Sequence, residues 1–434
     1  MVTTELRRVF AEEVSLLVQE EVRLKGWIYH LRILGKTAFI ILRDCTGEVQ
    51  CVIASEALKE HKLKVEDVVE ILGAVRAEPR ARAGCEVNVS ELHVLNRAGQ
   101  SLPFQSAGSV ESVGLDTLLQ HRPLSLRTEA VGDIFRVQAA ILAAFREALN
   151  RRRFTEIVTS KIVSGGTEGG SNLFEINYFD RVAYLAQSPQ FYKEHGVAGF
   201  ERVYETGHVY RAEPHASSRH LTEYYSLDVE FGFIDGPEDV IQFERELLTD
   251  MFENLNTKYG EVIRKYRLGL LPSMLNVPCW EFDACLEILR ADFGRTDLDN
   301  DLDPTAERQL CERAARENGI PAVFVLGFPL AARPFYTAPR GSRGAAGSFD
   351  LLFHGLEITT GGQRLHRRED LESALRSRSI DPANFESHLA MFELGMPPHG
   401  GFAIGLERLT CQVLNLPNVR QAVLYPRDRY KITP

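Results

Sequence analysis

Long apolar runs are missing from this 434-residue chain: none approaches the length of a bilayer crossing, which argues against a helical membrane protein. The opening residues, Met1 to Arg8, lack the apolar segment of a secretory signal. Seven cysteines (Cys45, Cys51, Cys85, Cys279, Cys285, Cys311 and Cys411) form an odd, scattered set without a Cys-x-x-Cys pair. That argues against a disulfide framework or a structural zinc site and fits a reducing cytoplasm. No P-loop, no Gly-x-Gly-x-x-Gly strand–turn–helix and no internal repeat occurs, so any use of ATP must rest on another phosphate-binding device. Excess positive charge is absent too. The net charge is −10, unlike that of a non-specific nucleic-acid binder. The acidity is uneven: residues 1–100 hold 14 Lys and Arg against 15 Asp and Glu, leaving an excess of 9 negative charges to the remainder. An N-terminal domain so relieved can meet a polyanion.

What is present is 44% apolar residues, enough for two or three domains with cores. Val22–Ile28, Ala38–Leu42, Val49–Ile53, Val69–Val75 and Cys85–Val89 read as strands, with a short helix from Glu56 to Lys64. Five strands with that helix predict an OB-type Greek-key barrel over residues 1–103. Residues 104–125, weakly periodic and rich in small residues, are expected to be a linker. From Val131 a stripe of Ile134, Ile141, Phe145 and Leu149 predicts a helix. Strands and helices then mix without a βαβ rhythm. Residues 126–434 are therefore expected to form an α+β domain on an antiparallel sheet flanked by helices, with a small insertion around 265–325.

Five runs carry candidate chemistry. The densest spans Arg211 to Glu230 and predicts two strands, Tyr210 to Glu213 and Tyr224 to Phe233, joined by a polar loop. Arg211, Arg219, His215, His220, Glu213, Glu223, Asp228 and Glu230 crowd both charge signs together, which is costly unless a phosphate-rich anion and a cation are held there. A salt-bridged surface hairpin is the plainer reading. His399 to Leu409 passes from a glycine-rich strand into a helix, so backbone approaches closely around Gly405, and Arg408 stands at the helix start. Tight packing alone would also explain those glycines. In Phe349–Arg364, Asp350 and Glu357 on one strand face opposite sides unless a bulge at His354-Gly355 resets the register. If they converge, they and Thr360 make a hard oxygen site for Mg²⁺, with Arg364 as a carboxylate clamp; otherwise they are strand-edge charge. Gln187-Ser188-Pro189-Gln190 followed by Lys193 puts Gln190 and Lys193 on one face of a helix start, suited to a small ligand's carboxylate or to a capped surface helix. Ser164 to Ser171 is a glycine loop carrying Glu168, either a lid or a plain connection.

Together these runs resemble the class II aminoacyl-tRNA synthetases, subclass b, and most closely the archaeal-type aspartyl-tRNA synthetases. Arg211–Glu230 looks like that class's motif 2 and Gly401–Arg408 like motif 3, and the likeness runs from about Val22 to the C-terminus. The resemblance implies an OB anticodon-binding domain ahead of a catalytic domain that uses ATP and Mg²⁺. Arg211 would hold the α-phosphate and the substrate carboxylate, and Arg408 would stack on adenine; these two are the catalytic candidates. Glu213 would read the adenine amino group, Tyr224 would stack on the ring, and His215 and Arg219 would bend the triphosphate over the floor at Gly405. Asp350, Glu357 and Thr360 match metal and ATP positions. Arg364 and Lys193, with Gln190, Ser188 and Thr360 beside them, would clamp aspartate, and Glu168 would close over its ammonium. Arg32, Phe39 and Gln50 match positions that hold the central anticodon base.

The pair Lys193 and Arg364 favours L-aspartate over asparagine by a buried charge match. His30 and Pro79 resemble residues of relaxed members, so charging of both tRNA(Asp) and tRNA(Asn) is expected, with a tRNA-dependent amidotransferase as partner. A homodimer is expected, although motif 1 here reads Thr159-Ser160-Lys161-Ile162 where relatives have proline at the second position. Motif 3 carries Ala403 where many relatives have glycine. A strictly discriminating aspartyl enzyme, an asparaginyl enzyme, a tRNA-independent asparagine synthetase and a non-catalytic tRNA-binding paralogue share parts of this pattern. An intact barrel argues against the synthetase without tRNA, and Arg211, Glu357 and Arg408 argue against the non-catalytic form.

Overall fold

The computed structural model describes residues 6–99, 101–166, 172–214, 217–267, 269–341 and 344–433. By contacts the chain divides into two units, Met1–Ala130 and Val131–Pro434. No helix among the described residues is long and apolar enough to cross a membrane.

In the first unit, strands Glu21–Leu34, Thr37–Arg43, Glu48–Ala54, Val68–Ala77 and Cys85–Asn96 close into a barrel in the order first, second, third, fifth, fourth. Alternation decides the faces: Val22, Leu24, Ile28, Ala38, Ile40 and Leu42 turn inward, and their neighbours outward. All pairings are antiparallel except that of the third and fifth strands, where Cys51 lies opposite Val87. The helix between the third and fourth strands is Ser55–Glu60, shorter than the Glu56–Lys64 expected. Lys62 takes a left-handed φ of 49° that stops it. The stretch expected as linker contains two short helices, Leu115–Gln120 and Arg122–Ser125, and Arg122 is buried.

In the second unit, eight strands form one sheet. In spatial order they are Cys279–Glu281, Ala322–Leu326, Ser348–Phe353, Leu356–Gln363, His399–Gly405, Glu223–Gly232, Arg202–Tyr210 and Thr155–Glu156. The six central strands run antiparallel, and each outermost strand joins in parallel. Two segments around 265–325 are sheet members, because Cys279–Glu281 and Ala322–Leu326 extend the ladder and helices Phe282–Phe293 and Pro304–Asn318 cover that end. One face of the sheet buries Leu227, Val229, Phe349, Leu351, Phe402 and Ile404 against helices Glu129–Arg151 and Pro237–Tyr266. The opposite face is left to polar residues, and the site lies there.

Candidate active site

Register places the polar residues in rows. Asp350, Thr360, Ala403, Asp228 and Glu205 stand opposite one another across five strands, and Ser348, Gly362, Gly401 and Glu230 form the next row. Opposed residues point to one face, and Thr360, Ala403 and Ser348 of these rows line a cavity of about 420 Å³. Gly401 is obligatory in its row, because a Cβ there would be driven into the Val229 carbonyl and the Glu230 carboxylate.

At one end of the cavity, helix Gln190–Phe200 begins after Ser188, whose Oγ accepts from the Gln190 N–H at 3.1 Å. Gln190 and Lys193 enter the cavity wall from this first turn, both almost fully buried. Lys193 Nζ lies 3.0 Å from Asp228 Oδ1 and 3.3 Å from Glu230 Oε2. Arg364 donates from Nε to Glu230 Oε1 at 3.0 Å and from Nη2 to the Gly401 carbonyl at 3.1 Å. Burial opposes ionisation of Glu230, but Arg364 and Lys193 outweigh it and hold the carboxyl below its ordinary range. Two buried cations thus already face two buried acids. The charge match expected for aspartate is a balanced cluster, not a free pair of cations.

At the other end, strand Arg202–Tyr210 stops before the expected Glu213. Only the Arg211 N–H, bonded to the Thr222 carbonyl at 2.9 Å, prolongs the ladder with Glu223–Gly232, and Glu213 N–H turns back onto Arg211. The turn brings Arg211 and Glu213 to the cavity wall with Tyr224, over whose ring the Arg211 guanidinium sits 5.7 Å from the centroid. Opposite, strand His399–Gly405 runs into helix Leu406–Leu414, and Arg408 Nη1 donates to the Glu357 carbonyl at 3.0 Å and reaches Oε1 at 3.3 Å. Gly405 and Ala403 lie on the cavity floor between these walls. Arg219 also lines the cavity but is held by Glu307 and by the Gly355 carbonyl. His215 and Glu168 fall outside the described residues.

Asp350 and Glu357 converge by a different route from the one expected. They lie on two strands, Ser348–Phe353 and Leu356–Gln363, joined by a two-residue turn in which His354 and Gly355 have φ of 50° and 77°. Two positive φ values make a tight hairpin there instead of a bulge. The bulge sits further along, where pairing slips between Leu351 and Leu352. It absorbs Ile358 into the core and turns Glu357 to the face of Thr360, whose hydroxyl donates to Glu357 Oε1 at 3.0 Å. Arg333 grips Asp350 at 3.1 and 2.7 Å, a contact that sequence reading missed. Burial pushes Asp350 up to about 6 despite Arg333, whereas Arg408 and Thr360 overcome burial to hold Glu357 low. Among the described residues no three His, Cys, Asp or Glu side chains cluster as a metal cage. Glu357 and Thr360 fit a Mg²⁺ that takes its remaining ligands from phosphate and water; Asp350 could join only by releasing Arg333.

On the barrel, the bulge between Ile28 and His30 sets the register so that His30 faces Ile41, which faces Gln50, while Arg32 faces Phe39. All lie on the outer face of the first three strands, and Gln50 donates to Glu86 at 2.8 Å. Pro79 is exposed in the turn between the fourth and fifth strands, whose Arg82 pairs with Glu48 at 3.2 Å.

A family model for class II tRNA synthetases (D, K and N) matches residues 114–429, and one for the OB-fold nucleic acid binding domain matches 22–95. The chain belongs to the class II tRNA synthetases. The synthetase is 43% identical to the aspartate–tRNA(Asp/Asn) ligase of Thermus thermophilus over 98% of this chain and 100% of that one. It is 41% identical to the ligase of the same name from Deinococcus radiodurans over the full length of both. It also superposes on the asparaginyl-tRNA synthetase of Pyrococcus horikoshii complexed with asparaginyl-adenylate, with a TM-score of 0.91, 30% identity and full coverage of both chains. Within the synthetase, sequence reasoning gave Asp228 and Glu230 only a general cation-holding role and left Glu194, Glu307 and Arg333 without any. The alternation of acids at 228 and 230 on a strand aimed at Lys193 was the one available signal.

Proposed function

We propose that this synthetase is an aspartate–tRNA ligase that activates L-aspartate with ATP and passes the aspartyl group to the 3′-end of tRNA(Asp) and tRNA(Asn). The observation that carries the reading is the pair Lys193 and Arg364, buried at one end of a cavity whose other end is lined by Arg211, Tyr224 and Arg408. The relatives named as aspartate–tRNA(Asp/Asn) ligases support it at full length. Residues 126–434 would carry the chemistry and residues 1–103 the anticodon.

In this reading Lys193, Arg364 and Gln190 orient the side-chain carboxylate, with Ser188 holding the turn, and Glu168 would close over the ammonium. Arg211 brings the α-carboxylate and the α-phosphate together and later meets the charge that develops on phosphorus. Tyr224 and Arg408 sandwich adenine, Glu213 reads its amino group, and His215 and Arg219 bend the triphosphate. Mg²⁺, when bound by Glu357 and Thr360, would supply charge neutralisation to the phosphates. No enzyme nucleophile is needed, because the substrate carboxylate attacks phosphorus in line and pyrophosphate leaves. His30, Arg32, Phe39, Gln50 and Pro79 would meet the anticodon. Exposed Val158, Phe179, Phe200 and Phe233 suit a homodimer contact, and a product misacylated on tRNA(Asn) would require an amidotransferase.

The test is aspartate-dependent ATP–pyrophosphate exchange, followed by charging of purified tRNA(Asp) and tRNA(Asn). Exchange supported by asparagine in place of aspartate would instead establish an asparaginyl enzyme, a kind of synthetase whose fold this chain also shares. Failure to charge tRNA(Asn) while tRNA(Asp) is charged would leave a strictly discriminating enzyme.

A further inference from the structure

Behind the balanced cluster lies a buried chain of groups that the reaction does not use. Glu194, fully buried one residue after Lys193, accepts from Gln190 Nε2 at 2.7 Å through Oε1. Its other oxygen lies 3.4 Å from His388 Nε2, and among the described residues neither of those two atoms has another hydrogen-bond partner. His388 is stacked on Phe191 with centroids 4.0 Å apart, and its Nδ1 meets His195 Nε2 at 2.9 Å. The Glu194–His388 gap therefore has room for one proton shared between two atoms that no other described residue serves.

We propose that Glu194 is a positioning residue that stays protonated at neutral pH, fixing Gln190 and keeping the substrate pocket from becoming net negative. The proposal rests on the placement of aspartate against Lys193 and Arg364. Charged and titratable groups reach Glu194 and its partner His388 from several elements. Lys193 and His195 come from its own helix, Asp228 and Glu230 from strand Glu223–Gly232, Arg364 from the segment after strand Leu356–Gln363, His388 from helix Glu386–Leu389 and His399 from strand His399–Gly405. Lys193 and Arg364 are already balanced by Asp228 and Glu230. An ionised Glu194 would leave the pocket one charge negative, facing an incoming carboxylate. Geometry and titration agree. Burial, then Glu230, push Glu194 up to about 8, while burial holds His388 down at about 3 and His399 at about 4, so the shared proton resides on the carboxyl.

The sign follows. Aspartate binds the protonated form, so its KM rises as pH passes the Glu194 pKa, by roughly tenfold or more between about pH 7 and 9.5. The KM for ATP stays level. Glu194→Gln keeps a neutral acceptor for Gln190 and is expected to flatten that rise; the substrate's own ammonium titrates against both proteins and cancels in their ratio. Glu194→Leu, which removes the acceptor, is expected to raise the aspartate KM at every pH. A Glu194→Gln enzyme that retains the wild-type alkaline rise, or that loses aspartate affinity more than about threefold at neutral pH, overturns the proposal. Calorimetry near pH 8.5, in buffers of different ionisation enthalpy, gives a second reading. More proton uptake with aspartate is expected for the wild-type protein than for Glu194→Gln, the substrate's ammonium contributing equally to both, and equal uptake by the two proteins refutes Glu194. Lys193→Met separates the two levels: if it leaves the aspartate KM unchanged, the placement of aspartate fails, and Glu194's role with it.

Discussion

Arg364→Ala divides the aspartate reading into parts that can be measured separately. The guanidinium makes a 3.0 Å bond to Glu230 and a 3.1 Å bond to the Gly401 carbonyl, and it is almost fully buried. A bidentate, charge-assisted contact to the substrate carboxylate contributes about 1.5–3 kcal/mol per bond, so its loss is expected to lower kcat/KM for aspartate by roughly 10²–10⁴-fold. Folding suffers as well. Removing one partner of a buried ion pair costs about 3–5 kcal/mol, and the low end applies because Lys193 still sits 3.3 Å from Glu230. For a unit of this size that lowers Tm by roughly 6–12 °C.

The two losses are separable. Glu230→Gln in the Arg364→Ala background removes the stranded charge and is expected to recover most of the Tm without recovering aspartate activation. ATP–pyrophosphate exchange at varied aspartate, with calorimetric ATP binding alongside, reads the outcome. ATP affinity is expected within about threefold of wild type, since the Arg364 hydrogen bonds run to Glu230, Gln190 and Gly401. An equal collapse of ATP and aspartate binding, or a loss for aspartate under about tenfold, would refute the assignment of Arg364 to the amino acid.

Gly401→Ala and Gly405→Ala should behave oppositely. The first drives a Cβ into Val229 and Glu230 and is expected to cost about 2–4 kcal/mol in denaturant unfolding, while the second comes no nearer than 3.7 Å to its nearest neighbour, the Arg408 side chain, and should fold normally but weaken ATP binding. Glu244 lies wholly buried beneath the sheet, where burial, only partly offset by Thr359, pushes its carboxyl from 4.5 up to about 8. The folded state therefore holds an extra proton between those values. The contribution of Glu244 to stability is greatest below about pH 4.5 and falls as pH rises through about 8, by on the order of 2–5 kcal/mol in all. Glu244→Gln should remove that component from a series of Tm values against pH; an unchanged profile would place the titration elsewhere. Phe39→Ala should raise the KM for tRNA roughly tenfold or more, the worth of one stacked base, with exchange untouched; loss of exchange would show that the barrel surface is not the tRNA contact.

How much of this was legible in the sequence depends on the physics behind each residue. The barrel followed from alternation, because a closed sheet with one buried face leaves a period of two that Val22, Leu24, Ile40 and Leu42 display directly. The sheet beyond Val131 was legible in kind but not in extent. Its edge strands Cys279–Glu281 and Thr155–Glu156 are three and two residues long and carry no periodicity to read. The Asp350–Glu357 hairpin was misread because His354 carries no turn signal. Its left-handed φ is imposed by the strands on either side, and the compensating bulge depends on how Ile358 packs, which is a tertiary fact.

The cation pair shows the same limit in charge. Lys193 and Arg364 were legible as a clamp because a carboxylate ligand requires cations, and spacing put Lys193 on the first turn of a helix. The acids that balance them come from a strand 35 and 37 residues further along and act only through sheet register, which sets Asp228 against Ala403 and Glu230 against Gly401. Once those partners are counted, selectivity for aspartate cannot come from a surplus of positive charge. It has to come from a neutral pocket whose donors are fixed in place, so that a carboxylate completes bonds that an amide would leave half made. Such a pocket tolerates no further ionised acid, which makes the single proton between Glu194 and His388 as much a determinant of substrate choice as the two cations in front of it.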